Sequence, residues 1–482
     1  MKQISSTNHY FGYYFVFLGL AFLLGINGNN NLLSVLLPCL ISIFIGLLFL
    51  FIFKKPKNPN INSKNALFKY IMGFFITFLI LFIHLLTFHL INDFYFSNFS
   101  LLFLETTSIL TGSGATSFRG LSEPLVLSHA ALSLVIRVFT LLYFVNFFFT
   151  RFYPSLFLEK EAGKVYFKVR KAAWYYLLFL AFLFLISLLI LLTNNQSIYS
   201  SLSIGTSLIS GTSFTPNQGL LMQDLVNGPS RDGIILLLSF ISFLSSCGLF
   251  FFLFSGFSNI KKAFKSSIPF IILMFYVLYF LVYFLNTYLT RNQFGIVETA
   301  QYFFLVSGSP FIVTDVTYIP VYILFVVISL VLFTSPLSLK NSLRGDISLN
   351  MSQSLIHLIK RKKAGEKDLY RHYYLGYLTD HKLLSLKEYS SLLIVYIPFI
   401  ILLVLIGLII PSIDGFNSVS ATILMFFNYG SNVIDYALLN VGDGLHNAWV
   451  IHLTLISLLS SLSLVVFPYL LSTKKSTDSP LV

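Results

Sequence analysis

The chain has 482 residues, of which 56% are hydrophobic and only 10% are charged. A soluble domain carries about 25% charged residues, so this composition excludes a protein that has water as its main solvent. The formal net charge is +13, and the positions of the basic residues decide what that charge means.

Ten stretches are long enough to cross a hydrocarbon layer of about 30 Å, which takes about 20 residues. They lie at 11–27, 32–53, 68–92, 128–150, 172–193, 233–254, 267–288, 319–339, 391–411 and 447–471. Backbone polar groups in lipid must be satisfied within the segment, so these stretches predict helices. Four shorter apolar pieces lie at 99–111, 198–209, 297–306 and 416–428. We predict that these are re-entrant half-helices that enter the membrane, stop and return.

Each predicted half-helix is followed by a glycine in a short loop. The glycines are Gly114, Gly211, Gly308 and Gly430, within TGSGATSF, ISGTSFTP, VSGSPFIV and NYGSNVID, and the first three are 97 residues apart. A fixed period of this size indicates one supersecondary unit that is used several times. In a membrane protein we expect four equivalent loops around one axis, which indicates an ion pore.

The predicted fold is an all-α membrane protein with four pseudo-symmetric helix–pore-loop–helix repeats around one central pore, preceded by two extra transmembrane helices. The predicted boundaries are 1–66 for the two N-terminal helices and a basic linker, 67–160 for repeat 1, 161–260 for repeat 2, 261–340 for repeat 3, 341–388 for a cytosolic insertion, and 389–482 for repeat 4 with a short tail.

The distribution of Lys and Arg supports this arrangement. Cytosolic loops near helix ends are rich in these residues. Placing both termini in the cytosol puts nearly all of the 31 Lys and Arg on the cytosolic side. The positive charge therefore predicts a multi-pass protein of the cytoplasmic (inner) membrane in contact with the lipid bilayer, and it gives little support to nucleic-acid binding.

The glycine loops have the chemistry of a selectivity filter. Backbone carbonyls can replace the hydration shell of an ion if the chain adopts conformations that a Cβ disfavours. The C-terminal ends of the half-helices carry partial negative charge, which favours a cation. The hydroxyl groups either bind the ion or hydrogen-bond the loop backbone. The candidate filter residues are Thr111, Gly112, Ser113, Gly114, Ala115, Ser210, Gly211, Thr212, Ser307, Gly308, Ser309, Tyr429, Gly430 and Ser431.

Arg137 is the one basic residue well inside a predicted membrane helix. A buried charge costs at least about 2.5 kcal/mol, so the side chain should face protein or water. Two roles stay open: the guanidinium sets a positive barrier below the filter, or it pairs with a carbonyl or an acidic group for structure.

Four glycine-centred loops in one chain, with SGAT at 113–116, resemble the superfamily of potassium transporters that includes TrkH, KtrB and the plant HKT proteins. The two extra helices make the chain more similar to TrkH than to KtrB. The resemblance implies potassium as the permeant ion and a homodimer with one pore per subunit. It also implies a cytosolic nucleotide-binding regulatory subunit of the TrkA or KtrA type.

The chain departs from the superfamily at two places. A glycine-rich gating loop that ends in Lys is replaced by VLFTSPLSLK at 331–340, where Ser335, Pro336 and Lys340 are the candidate gate residues. Pro336 disfavours helix before it, but the glycines that would make the loop flexible are missing. The arginine that the superfamily places in the second helix of repeat 4 is also missing from 449–471.

The sequence contains no phosphate-cradling glycine motif, no HExxH and no nucleophile elbow. We therefore predict that the chain is not an enzyme, and that it holds no cofactor and no metal beyond the permeant potassium ion. Two alternatives stay open. One is a sodium or mixed alkali-cation pore of the same architecture, and the other is a polytopic membrane enzyme or lipid-linked carrier.

Overall fold

The computed structural model describes most of the predicted membrane segments. The described residues are 7–26, 32–51, 63–92, 99–112, 121–143, 159–194, 196–212, 214, 226, 230–246, 277–289 except 279 and 286, 294–307, 369–382 except 375 and 376, 400–409, 419, 422, 425, 426 and 447–462.

The described elements are helices and one hairpin. In chain order they are α1 (Thr7–Leu23), α2 (Leu32–Phe51), α3 (Ser63–Ile91), α4 (Phe99–Thr111), α5 (Glu123–Tyr143), α6 (Glu159–Thr193), α7 (Ile198–Ser210), α8 (Arg231–Ser246), α9 (Phe280–Leu289), α10 (Ile296–Ser307), β1 (Leu369–Tyr374), β2 (Tyr377–Lys382), α11 (Ile400–Ile409) and α12 (Asn447–Leu462).

Four of the described helices contain segments long and apolar enough to cross a membrane: Leu32–Phe51, Phe68–Ile91, Glu123–Tyr143 and Trp174–Thr193. They coincide with four of the ten predicted spans. The predicted span at 319–339 lies outside the described residues. The predicted all-α membrane fold is confirmed, with one addition: β1 and β2 pair antiparallel, from Leu369 opposite Lys382 to Tyr374 opposite Tyr377. This hairpin falls within the predicted cytosolic insertion.

Three predicted half-helices are present as the short helices α4, α7 and α10. Each ends in a hydroxylated residue, namely Thr111, Ser210 and Ser307. The fourth predicted half-helix, at 416–428, is described only at four positions, all of them helical.

The N-terminal helices α1 and α2 form a close hairpin. A Cβ on Gly46 would approach the carbonyl oxygen of Gly12 to 2.9 Å, so glycine allows the two backbones to meet. Ser42 Oγ donates a hydrogen bond to the Phe15 carbonyl at 2.7 Å. The hairpin then packs on the rest of the protein through both helices, since α1 contacts α5 and α2 contacts α3.

The half-helices pack against the second membrane helices of neighbouring repeats. Helix α7 packs on α5, and α10 packs on α8. Helix α4 lies beside α12, since Ser100 Oγ donates to Asn447 Oδ1 at 2.6 Å. The first half-helix therefore contacts the last described helix, as expected if the repeats form a closed ring.

Candidate functional site

Helices α4 and α7 end in the same way. Gly112 has a φ of 63° and Gly211 a φ of 67°, both in the left-handed region that favours glycine. The Gly112 amide donates to the Ser108 carbonyl at 2.8 Å, and the Gly211 amide donates to the Ser207 carbonyl. Such glycines stop a helix and turn the chain away. The partial negative charge of each helix end therefore lies next to its glycine.

A second glycine lies at the end of the first half-helix. The sequence pairs Gly114 with Gly211 because their spacing of 97 recurs. The structure shows that Gly112, like Gly211, directly follows its half-helix. Helix α10 ends at Ser307, directly before Gly308. Gly114 lies outside the described residues, so its predicted equivalence with Gly211 and Gly308 stays a prediction.

The guanidinium of Arg137 lies at the end of α4. Nη2 donates a hydrogen bond to the Gly112 carbonyl at 2.6 Å. The side chain is only 5% exposed, and its Nε and Nη1 make no hydrogen bond to any described residue. Of the two roles that the sequence left open, pairing with a carbonyl is present. A barrier role is compatible with the same position.

The guanidinium also borders the end of α7. A Cβ placed on Gly211 would lie 3.5 Å from Arg137 Nη1, whereas a Cβ on Gly112 would fall on Nη2 itself. Arg137 therefore lies between the two glycine turns. It extends from α5, the helix that packs on α7.

The hydroxyl groups that end the half-helices are bonded within the protein. Thr111 Oγ1 donates to the Thr107 carbonyl at 2.8 Å and lies 2.7 Å from Ser457 Oγ, which donates to it. Ser307 Oγ donates to the Phe304 carbonyl at 2.8 Å and accepts from Ser242 Oγ at 3.1 Å. These contacts favour the structural role of the two hydroxyl groups over ion binding.

The end of α7 differs from the other two. Ser210 Oγ donates to the Ser207 carbonyl at 3.4 Å and is 2.7 Å from Thr212 Oγ1 in its own loop. In the described part of the chain, no serine of a neighbouring helix binds it. The contact between repeats 1 and 2 is made at this level by Arg137 instead.

A double-mutant cycle of Thr111→Val and Ser457→Ala tests the contact that joins the first and fourth repeats. Each single change removes one partner and leaves the other buried without it, which costs about 1–3 kcal/mol. We expect the double variant to lose less stability than the sum of the single losses, with a coupling of about 1 kcal/mol. Thermal unfolding in detergent measures this. Additive losses would show that the two hydroxyl groups are independent.

The serines of the second helices were missed in the sequence. Residues 238–246 read LSFISFLSS and residues 453–461 read LTLISLLSS, so Ser242 and Ser457 occupy the same place in a repeated segment. This internal similarity could have identified them.

A buried histidine pair was also missed. His84 Nδ1 donates to the Ser34 carbonyl at 2.6 Å, and the Nε2 atoms of His84 and His129 are 3.0 Å apart. The pair joins α2, α3 and α5. Among the residues described, no group of three or more His, Cys, Asp or Glu could hold a metal ion.

Several predicted site residues lie outside the described residues. These are Ser113, Gly114, Ala115, Gly308, Ser309, Tyr429, Gly430 and Ser431 of the filter, and Ser335, Pro336 and Lys340 of the gate. Their roles stay predictions.

Comparison with known proteins gives one kind of match. No protein-family model and no curated protein matches the sequence. Among solved structures, the crystal structure of the potassium transporter TrkH from Vibrio parahaemolyticus is similar, with a TM-score of 0.69 at 16% identity. The match covers 99% of this chain and 100% of that one. The resemblance indicated by the glycine loops is thereby confirmed at the level of the fold, and this chain is a membrane-embedded protein with the TrkH fold.

Proposed function

We propose that this chain takes up potassium through a channel-like filter formed by the glycine loops. The observation that carries the proposal is that α4 and α7 end in the same left-handed glycine turn, where the Gly112 carbonyl accepts a hydrogen bond from the positively charged guanidinium of Arg137. A carbonyl at the C-terminal end of a half-helix stabilises positive charge because the helix dipole adds to its own. The same geometry suits an alkali cation that has lost its water.

The TrkH fold supports the choice of ion, because the similar structure is that of a potassium transporter. The glycines at the ends of α4 and α7 leave both turns without a side chain next to Arg137. We further propose that the protein is a homodimer in the cytoplasmic membrane with cytosolic termini, and that a TrkA- or KtrA-type subunit regulates it. The basic loops support this orientation.

Rubidium uptake into cells that lack their own potassium systems tests the function. Wild type should take up rubidium above the empty vector, and excess potassium should compete better than excess sodium. The variant Gly211→Asp should show no uptake, because its carboxylate would pair with Arg137 Nη1 and fill the space between the two glycine turns.

The matched control is Gly233→Ala in α8, where an added Cβ meets nothing within 4 Å. This variant should transport like wild type, and both variants should reach the membrane in equal amounts. Uptake by wild type equal to that of the vector would contradict the proposal. Better competition by sodium than by potassium would favour the sodium pore.

A further inference from the structure

One face of α1 is buried in the protein, and α1 runs alongside α5. The buried residues of α1 recur three and four positions apart, as for one side of a helix: Tyr10, Phe11, Tyr14, Phe15, Leu18 and Phe22. A Cβ on Gly25, just after α1, would lie 3.0 Å from Ser128 Cβ near the start of α5. Tyr10, near the start of α1, contacts Phe139 near the end of α5. The two helices are therefore antiparallel neighbours.

The contact is most specific at Phe139. Tyr10 Oη donates a hydrogen bond to the Phe139 carbonyl at 3.0 Å. The Tyr14 ring stacks on the Phe139 ring with centroids 3.8 Å apart. Tyr14 Oη is also hydrogen-bonded to Thr77 Oγ1 of α3 at 2.9 Å. The ring of Tyr14 is thus held between α3 and α5.

Phe139 is two residues after Arg137 on the same helix. Successive residues of a helix are rotated by about 100°, so Phe139 and Arg137 point to nearly opposite sides of α5. One side of this turn is held by α1, and the other side extends the guanidinium to the Gly112 carbonyl. A shift of α5 away from α1 would therefore move the guanidinium relative to both glycine turns.

We propose that Tyr10 and Tyr14 are positioning residues for the filter. They act through α5 to hold the Arg137 guanidinium against the Gly112 carbonyl. The N-terminal hairpin of α1 and α2 is then a brace that sets how well the pore discriminates between cations. This inference rests on the proposed function for its transport readout. The packing of α1 on α5 and the hydrogen bond of Arg137 to Gly112 do not depend on the proposed function.

The test combines Tyr10→Phe with Arg137→Met in a double-mutant cycle. Tyr10→Phe removes only the hydroxyl group that binds the Phe139 carbonyl. Tyr14→Leu, which removes the stacked ring, is the stronger second variant. Tyr13→Phe is the matched control, since Tyr13 lies on the same turn but is 50% exposed. The readout is the ratio of rubidium to sodium uptake, which does not depend on the amount of protein.

We expect Tyr10→Phe to lower this ratio roughly fivefold when Arg137 is present, the effect of one hydrogen bond. In the Arg137→Met background the ratio should change by less than about a factor of two. Tyr13→Phe should leave the ratio unchanged. An unchanged ratio in both Tyr10→Phe and Tyr14→Leu, or the same change in both backgrounds, would overturn the inference.

A second measurement separates this inference from the proposed function. Hydrogen exchange of the Gly112 amide, which is bonded to the Ser108 carbonyl, is followed in the purified full-length variants. It should be faster in Tyr10→Phe than in Tyr13→Phe, and this difference should vanish without Arg137. If the wild type carries no cation, the proposed function fails, and the exchange rates alone decide on the brace. Equal rates in Tyr10→Phe and Tyr13→Phe would overturn it.

Discussion

Replacement of Gly112 with alanine is expected to abolish rubidium uptake, whereas the same replacement at Gly211 should retain much of it. Both glycines have a φ near +65°, so alanine meets the same backbone strain of about 1–2 kcal/mol at either site. The surroundings differ. At Gly112 the new Cβ would fall on Arg137 Nη2, and at Gly211 it would be in ordinary contact with Nη1 at 3.5 Å.

The alanine at position 112 leaves no room for the guanidinium against the only carbonyl that it binds among the described residues, so we expect the turn itself to shift and the loop after α4 to be distorted. Arg137→Met, by contrast, removes the charge and leaves the glycine turn in place. Uptake and the amount of protein in the membrane are measured for both variants. A shorter side chain in the double variant Gly112→Ala/Arg137→Ala should restore part of the thermal stability, because the Cβ then has space. Equal losses of uptake in Gly112→Ala and Gly211→Ala would show that Arg137 does not occupy this position.

The half-helices were predictable because two local signals agree. Residues 99–111, 198–209 and 297–306 are apolar but too short to cross a bilayer, and glycine follows closely after each. The observed helices Phe99–Thr111, Ile198–Ser210 and Ile296–Ser307 agree to within one residue at each end. Length and helix termination are properties of the local chain, so they can be read without the fold.

The glycine that ends the first half-helix could not be predicted from the spacing of the repeat. The sequence TGSG offers both Gly112 and Gly114, and the equal intervals favour Gly114. A helix ends, however, where its last amide finds a carbonyl. The Gly112 amide bonds to the Ser108 carbonyl, and the chain turns at Gly112. Hydrogen bonds therefore decide where the first half-helix ends, and the spacing of 97 residues does not reveal that position.

The hydrogen-bond partners of the residues that end the half-helices could not be predicted from the sequence either. Thr111 and Ser457 are 346 residues apart, and only the packing of α4 beside α12 brings them together. The hydroxyl groups at Thr111 and Ser307 could be expected to bond the backbone. That a serine of a neighbouring helix would bind each of them depends on which repeats are adjacent.

The described helix ends are chemically unequal. Thr111 and Ser307 are each joined to a neighbouring helix by a neutral hydroxyl pair. Between α4 and α7 the corresponding contact is a charged guanidinium on α5. In the proposed pore, a single positive charge on one side of the filter would act on every ion that passes. The largest electrostatic effect on conduction is therefore expected from Arg137.

Substitution of Arg137 with methionine should raise the maximal rate of rubidium uptake at least about tenfold. Two unit charges 4 Å apart repel by about 4 kcal/mol at an effective dielectric constant of 20. Each 1.4 kcal/mol of barrier is a factor of ten in rate. Methionine fills a similar volume without charge. Arg137→Lys keeps the charge, so its rate should stay close to that of wild type. Initial uptake rates at saturating rubidium, corrected for the amount of protein, measure the effect.

Slower rubidium uptake in Arg137→Met would identify the Gly112 hydrogen bond of Arg137 as structural. Without its donor, the buried Gly112 carbonyl is left unsatisfied, which costs about 1–3 kcal/mol of stability. A structural role of Arg137 therefore predicts a lower melting temperature and slower rubidium uptake in Arg137→Met. Since lysine lacks the planar fork of arginine, a structural role predicts a partial loss of uptake and of thermal stability in Arg137→Lys as well. Faster uptake in the methionine variant together with an unchanged rate in the lysine variant is compatible only with the charge as the barrier.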